Sequence, residues 1–290
     1  MISDFGRCTA SCLGITLLLT LLRVSPAASQ TFDVVGTRAL GMGGAFVAVA
    51  DDATATWWNP AGLASGPFFD ALIEYGRIRT SPQTSVRSIA SAFPSLGVSY
   101  YRLPISQIRD ENLNVFGLTF GQSLSEHVVV ASTLKLERAG ETHGDLDLGA
   151  LARFGIAQIG ISVKNARGAT FETAAGPLVL DRQARAGLAI LGRSNGWIKE
   201  MTIAADADLI TNTSMGAETR HIAGGLEIWI FSKKIGLRGG GSGNMVGAKG
   251  SSASGGVSLA LRSGTYLEAH HTNGTDPTRK SWGIALRSTF

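Results

Sequence analysis

Cysteine is almost missing: only Cys8 and Cys12 occur, both near the start of the chain. The remainder can form neither a disulfide framework nor a cysteine metal site, so packing and backbone pairing must hold it together. Long apolar runs are missing too. After residue 30 the longest, Ala45 to Ala50, has six residues, against the roughly 20 that a membrane-spanning helix requires. Charge is sparse, 17% of residues with a net +4, which is too weak a positive field to argue for a nucleic-acid partner. Glycine is the excess: 37 of 290 residues, well above the usual ~7%. Those glycines follow no three-residue period, which excludes collagen, and 44% hydrophobic residues exclude a disordered chain.

The first 29 residues have the layout of a secretory signal. Arg7 precedes the apolar run Leu13 to Leu22, and Ser25, Pro26, Ala27, Ala28 and Ser29 follow. Cleavage before Gln30 is expected, and it removes both cysteines; a retained anchor is the alternative, for which the apolar run is too short to span.

From residue 68 onward the dominant signal is alternation. Val128, Val130, Ser132, Leu134 and Leu136 interleave with Val129, Ala131, Thr133, Lys135 and Glu137. A period of two marks a strand with one apolar face and one more polar face. The split recurs in Met201, Ile203, Ala205, Ala207 and Leu209 against Thr202, Ala204, Asp206 and Asp208, and in Val257, Leu259 and Leu261 against Ser258, Ala260 and Arg262. It recurs again in Ile222, Leu226, Ile228 and Ile230 against His221, Ala223, Gly225 and Glu227.

The same reading predicts fourteen strands, at about 68–79, 84–93, 95–103, 111–122, 126–138, 144–155, 156–165, 181–191, 199–210, 217–230, 234–241, 252–262, 265–272 and 281–290. Their turns are short at the end where residue 68 starts, apart from 191–199, and longer at the other, as at 166–180 and the Gly/Ser-rich 242–251. That asymmetry is expected of an outer-membrane barrel, with the short turns periplasmic. On this register Arg is expected to be costly at Leu259, on the lipid face, and far milder at Ser258. A soluble sandwich or solenoid is the alternative, and it would normally carry more charge.

The last strand adds an independent sign. Trp282, Ile284, Leu286, Ser288 and Phe290 share one face and end on an aromatic carboxyl-terminal residue. This resembles the assembly signal of bacterial outer-membrane barrels, which implies the barrel assembly machinery as a partner; a chance edge strand is the alternative.

Residues 36–64 differ in kind, being too apolar and glycine-rich for a linker. Gly41, Gly43 and Gly44 allow close backbone approach or positive φ before a short apolar strand. Asp52 can cap a short helix through Trp58, and Asn59 before Pro60 has the order of an N-cap with proline at the first helical position. Here the chain resembles the FadL-type outer-membrane transporters of hydrophobic compounds and their PorV-like relatives. The resemblance rests on Asn59, Pro60 and Ala61 and on the stretches Arg38 to Ala45 and Val49 to Ala53. It implies that an N-terminal hatch (30–67) plugs a fourteen-stranded transmembrane barrel (68–290). The barrel segment is too short for the long external loops that hold the first ligand groove in fatty-acid transporters.

No enzymatic signal emerges. Gly239, Gly240, Gly241 and Gly243 lack the Lys-Ser or Lys-Thr pair of a phosphate loop, and no nucleophile elbow occurs. His270 and His271 are adjacent, so on a strand they point to opposite faces and cannot share a metal. No cofactor is expected. Lys135, Glu137, Arg153, Arg185, Asp206, Asp208, Glu227, Arg238, Glu268 and Arg287 are the candidate lumen charges. The expected function is passive uptake of a small hydrophobic ligand past the hatch, in outer-membrane lipid. The alternative is a PorV-like scaffold that docks a secreted-protein partner without conducting.

Overall fold

The computed structural model describes residues 28–29, 33–80, 83–105, 112–173, 176–214, 217–247, 249–275 and 277–290. The expected signal peptide, with Cys8 and Cys12, and its cleavage point before Gln30 lie almost wholly outside the described residues.

Fourteen antiparallel strands close on themselves. They are β1 (Asp70–Ile78), β2 (Thr84–Phe93), β3 (Leu96–Pro104), β4 (Asn112–Ser123), β5 (Val128–Ala139), β6 (Glu141–Phe154) and β7 (Ala157–Lys164). The circuit continues with β8 (Gln183–Arg193), β9 (Ile198–Asp208), β10 (Ala217–Ile230), β11 (Ile235–Val246), β12 (Ser251–Arg262), β13 (Thr265–Gly274) and β14 (Ser281–Thr289). Each pairs with its sequence neighbour, and β14 returns to β1 through Ile284↔Tyr75 and Leu286↔Ile73. Closure satisfies every strand edge internally, the condition for placing strands in hydrocarbon. No helix among the described residues is long and apolar enough to cross a membrane.

The two-residue period sets the faces. On β9, Thr202, Ala204, Asp206 and Asp208 are buried while Met201, Ile203 and Ala205 are exposed. On β5, Leu134 and Leu136 are exposed and Lys135 and Glu137 are buried. Ile230 departs from its expected outward, exposed position and is buried. It sits where a bulge between Ile198 and Glu200 shifts the pairing of β9 and β10. The expected irregularity at 191–199 shrinks to a four-residue turn between Arg193 and Ile198. The Gly/Ser-rich 242–251 is mostly strand: β11 runs to Val246, with Gly224↔Gly241 and Gly241↔Ala253 in register on either side. Between β7 and β8 the long connection carries a small hairpin, Thr170–Thr173 with Gly176–Val179.

Trp282, Ile284, Leu286 and Phe290 line the outer face of β14, and Phe290 is 63% exposed. Its backbone closes the ladder: Phe290 N–H donates to Phe69 O at 2.8 Å, and Phe69 N–H donates to Phe290 O at 3.0 Å. The rings of Phe69 and Phe290 stack at 6.3 Å. Deleting Phe290 removes one terminal pair of hydrogen bonds, each worth about 0.5–1.5 kcal/mol. We expect it to lower the amount of heat-modifiable folded barrel in cells severalfold while barely moving the unfolding curve of protein already folded. Unchanged cellular levels would count against an assembly role.

Inside the barrel lies the segment before β1. It forms α1 (Thr37–Gly41), a run of turns, α2 (Ala55–Trp58) and a 3-10 turn over Pro60–Ser65. The apolar strand expected after Gly44 does not form. The backbone at 45–50 instead turns back on itself, Val49 and Ala50 N–H donating to Phe46 O. Ala45, Phe46, Val47, Ala48 and Trp58 are completely buried, so this plug is the core of the molecule.

Candidate functional site

Three barrel-wall carboxylates hold the backbone of the hatch. Glu74 on β1 accepts from Gly36 N–H at 3.0 Å and from the Thr37 hydroxyl at 2.7 Å, so it caps α1 from outside the helix. Asp206 on β9 takes Phe46 and Val47 N–H, each at 2.8 Å. Asp70 takes Ala53 N–H at 2.9 Å. These are backbone donors that no helix or sheet satisfies, and burial without partners would be expensive.

Asn59 does more than start a turn. Its Oδ1 accepts from Ala61 N–H at 3.2 Å, while its Nδ2 donates to Val47 O at 2.9 Å and to Ala150 O, on β6, at 3.1 Å. One side chain thus ties the Asn-Pro-Ala turn to the middle of the hatch and to the barrel wall. Pro60 and Ala61 are buried beside it. Asp52 is placed differently from expectation: α2 begins at Ala55, and the Asp52 carboxylate accepts from Thr54 N–H at 2.9 Å, as a turn preceding the helix. Burial alone would raise its pKa, but the Arg287 and Arg38 guanidiniums outweigh that and hold it below the ordinary Asp range.

The glycines explain how the plug fits. Gly43 and Gly44 adopt positive φ, 70° and 84°, which only glycine reaches without strain. Gly41 approaches so closely that an added Cβ would stand 3.2 Å from Gly256 Cα, on β12. The wall answers with its own inward glycines. A Cβ at Gly149 would strike Asn59, one at Gly160 the Val47 carbonyl, and one at Gly225 or Gly240 the Met42 backbone. These contacts give part of the glycine excess a packing role: the close approach expected of Gly41, Gly43 and Gly44 is met by glycines of the wall.

Most of the lumen charges join two networks that embrace the hatch. In the first, Arg38 of α1 grips Glu227 (β10) through two hydrogen bonds of 2.8 and 2.6 Å and also pairs with Asp51 and Asp52. Burial opposes its charge, but these carboxylates hold its pKa far above the ordinary range. Glu227 also accepts from Arg238 Nε (β11) at 2.6 Å, and Arg238 reaches Glu268 (β13) at 3.5 Å. Ser258 (β12) donates to Glu268 at 2.8 Å; Arg287 (β14) closes the circuit onto Asp70 at 2.8 Å. In the second, Arg185 (β8) pairs with Asp208 (β9) at 2.8 Å and with Asp33, just ahead of α1, at 2.6 Å. His221 stands 3.3 Å from Asp33.

Lys135 forms a separate cluster with Glu137 at 2.8 Å and Asp147 at 2.9 Å. Arg153 is half-buried near the short-turn end of β6 and joins neither network. His270 faces inward and His271 outward. The open polar interior behind the expected mild Arg at Ser258 is not what the structure has: Ser258 is 0% exposed and sits between the strands of Arg238 and Glu268, in a lumen filled by protein.

The wall is not charged all round. The inward residues of β2, β3 and β4 include Val86, Ala90, Ala92, Tyr101, Leu103, Leu113 and Val115, with Ser88, Ser99 and Thr119, and carry no charge. Trp57 of the hatch meets this sector edge-on at Tyr101, ring centroids 5.1 Å apart, while Lys164 from β7 lies over the other side of its indole. Between the hatch and β1, β13 and β14 a half-open pocket of about 20 Å³ lies beside Leu40, Glu74 and His270.

No protein-family model matches the chain, and no curated protein sequence matches it. Solved structures do. A monoaromatic hydrocarbon channel, CymD, superposes with a TM-score of 0.66 at 13% identity, covering 90% of this chain and 98% of that one. The toluene transporter TbuX of Ralstonia pickettii gives 0.60 at 12% identity, over 90% and 99%. The P. putida toluene transporter TodX gives 0.57 at 10% identity over the same shares. The chain therefore has the fold of the FadL-family outer-membrane transporters of hydrocarbons.

Proposed function

We propose that this protein is an outer-membrane barrel for passive uptake of small hydrophobic molecules, with residues 30–67 as its gate and 68–290 as its wall, after signal cleavage near Gln30. The observation that carries this reading is the charge-free sector of β2 to β4. An apolar solute moving along Leu103, Leu113 and Tyr101 has uncharged cross-strand neighbours, and the sector ends at Val115, opposite Glu137. The names of the superposing proteins, a monoaromatic hydrocarbon channel and toluene transporters, supply the matching compound class. The burial of the hatch supports gating, since Ala45, Phe46, Val47 and Ala48 are completely buried inside the barrel and passage requires the hatch to shift.

Asn59→Ala tests this. It removes three hydrogen bonds from the hatch, each worth about 0.5–1.5 kcal/mol. That loosens the plug without opening a closed ladder of fourteen strands. Uptake of an apolar probe into proteoliposomes should change severalfold while folded yield stays near wild type. Wild-type protein that moves no probe above an empty-vesicle control would make transport untenable and leave the PorV-like scaffold, whose variant would alter only partner retention.

A further inference from the structure

The outside of the barrel carries a row of cations where a membrane protein would be expected to show apolar or neutral side chains. Arg87 on β2 stands directly opposite Arg102 on β3, Arg102 opposite Asn114 on β4, and Asn114 opposite Arg138 on β5. Tyr75 on β1 continues the row beside Arg87, and Arg77 lies one outward position farther along β1. These positions share the face of Ile89, Val98, Phe116 and Leu136, all exposed. The row therefore sits at the edge of the apolar band, at the end of the longer connections. Tyr75 with Trp282 and Tyr100 with Phe116 form ring pairs beside it, at 6.1 and 4.8 Å, as aromatic belts do where hydrocarbon gives way to headgroups.

Two like charges directly across a strand pair repel. Among the described residues, none of Arg77, Arg87, Arg102 and Arg138 forms an ion pair with a carboxylate, although buried arginines of the lumen all but saturate theirs. Arg77 donates to the Tyr75 hydroxyl at 2.8 Å, which steadies it at the edge of the patch. A guanidinium row of this kind matches tetrahedral oxyanions, which accept two parallel hydrogen bonds from each fork.

We propose that Arg87 and Arg102, flanked by Arg77, Asn114 and Arg138, bind the phosphate groups of a phosphorylated glycolipid in the leaflet on the loop side of the barrel. The phosphates relieve the Arg87–Arg102 repulsion, and the acyl chains lie along Ile89, Val98 and Phe116. The site rests on the barrel standing in an outer membrane with its longer loops outward, but not on the transport of any solute. Its test is therefore separate from that of uptake.

The test uses the purified full-length barrel and native mass spectrometry, with bisphosphorylated lipid A, its dephosphorylated form and phosphatidylglycerol added in turn. Wild type should retain bisphosphorylated lipid A severalfold more than either other lipid. Arg87→Gln/Arg102→Gln should drop to the dephosphorylated level while keeping its heat-modifiable mobility, because removing facing like charges does not disfavour folding. Arg138→Gln alone, at the end of the row, should give a partial loss and serves if the double variant folds poorly. Equal retention by wild type and these variants, or no discrimination between phosphorylated and dephosphorylated lipid, would overturn the site. Phosphatidylglycerol held as strongly as lipid A would overturn the assignment to a glycolipid.

Discussion

Replacing Glu227 by Ala should cost about 3–5 kcal/mol, the usual penalty for breaking a buried ion pair from one side. Glu227 is the shared acceptor of Arg38 from the hatch and Arg238 from β11, and all three side chains are buried. Its loss leaves two guanidiniums facing each other inside a packed lumen. A closed ladder resists global unfolding, so the cost should appear first as undocking of the hatch, read by proteolysis near Arg38 and by a lower denaturation midpoint. Arg38→Ala combined with Glu227→Ala should recover part of the loss, because the hatch cation that Glu227 would otherwise strand is gone. A single variant with wild-type protease resistance and midpoint would show that the network contributes nothing to docking.

Arg at Leu259 and Arg at Ser258 should both be costly, for opposite reasons. Leu259 is 44% exposed on the outer face and lies in a row with Leu267, Leu286 and Ile73, so its Arg variant puts a charge into hydrocarbon. About 2–4 kcal/mol is expected if that row is near the bilayer midplane. Leu286 lies midway along β14 between Trp282 and Phe290, the residues at its two aromatic edges, which supports that depth. Ser258→Arg instead forces a large side chain into a filled lumen and adds a cation beside Arg238 and Arg287. Overpacking alone costs about 1–3 kcal/mol, and the uncompensated charge adds to it. Folding titrations separate the two: in detergents of decreasing apolar thickness the Leu259 penalty should shrink while the Ser258 penalty persists. Parallel behaviour of the two variants would refute the assigned faces.

The filled lumen at Ser258 shows where sequence reading stopped. A two-residue period names the two faces of a strand, because side chains must alternate, and it placed Leu259 outward and Ser258 inward without reference to any other segment. Fourteen strands, the terminal Phe290 and the Asn59-Pro60 turn were legible for the same reason, since each depends on neighbours along the chain. What fills the inside is not a local property. That Glu74 caps α1, that Asp206 receives Phe46 and Val47, and that Arg38 reaches Glu227 across 189 residues are set by barrel closure and hatch insertion. The same holds for Gly149, Gly160 and Gly225, whose packing role shows only when the hatch lies against them. Arg87 and Arg102 are unremarkable fifteen residues apart; only the hairpin register sets them side by side on the outer face. The sequence alone determined the barrel strands, their faces apart from the bulged end at Ile230, and the turn at Asn59, because local geometry fixes these. The tertiary structure decided which inward charges hold the plug and which outward charges meet, because strand pairing brings together residues that the chain keeps apart.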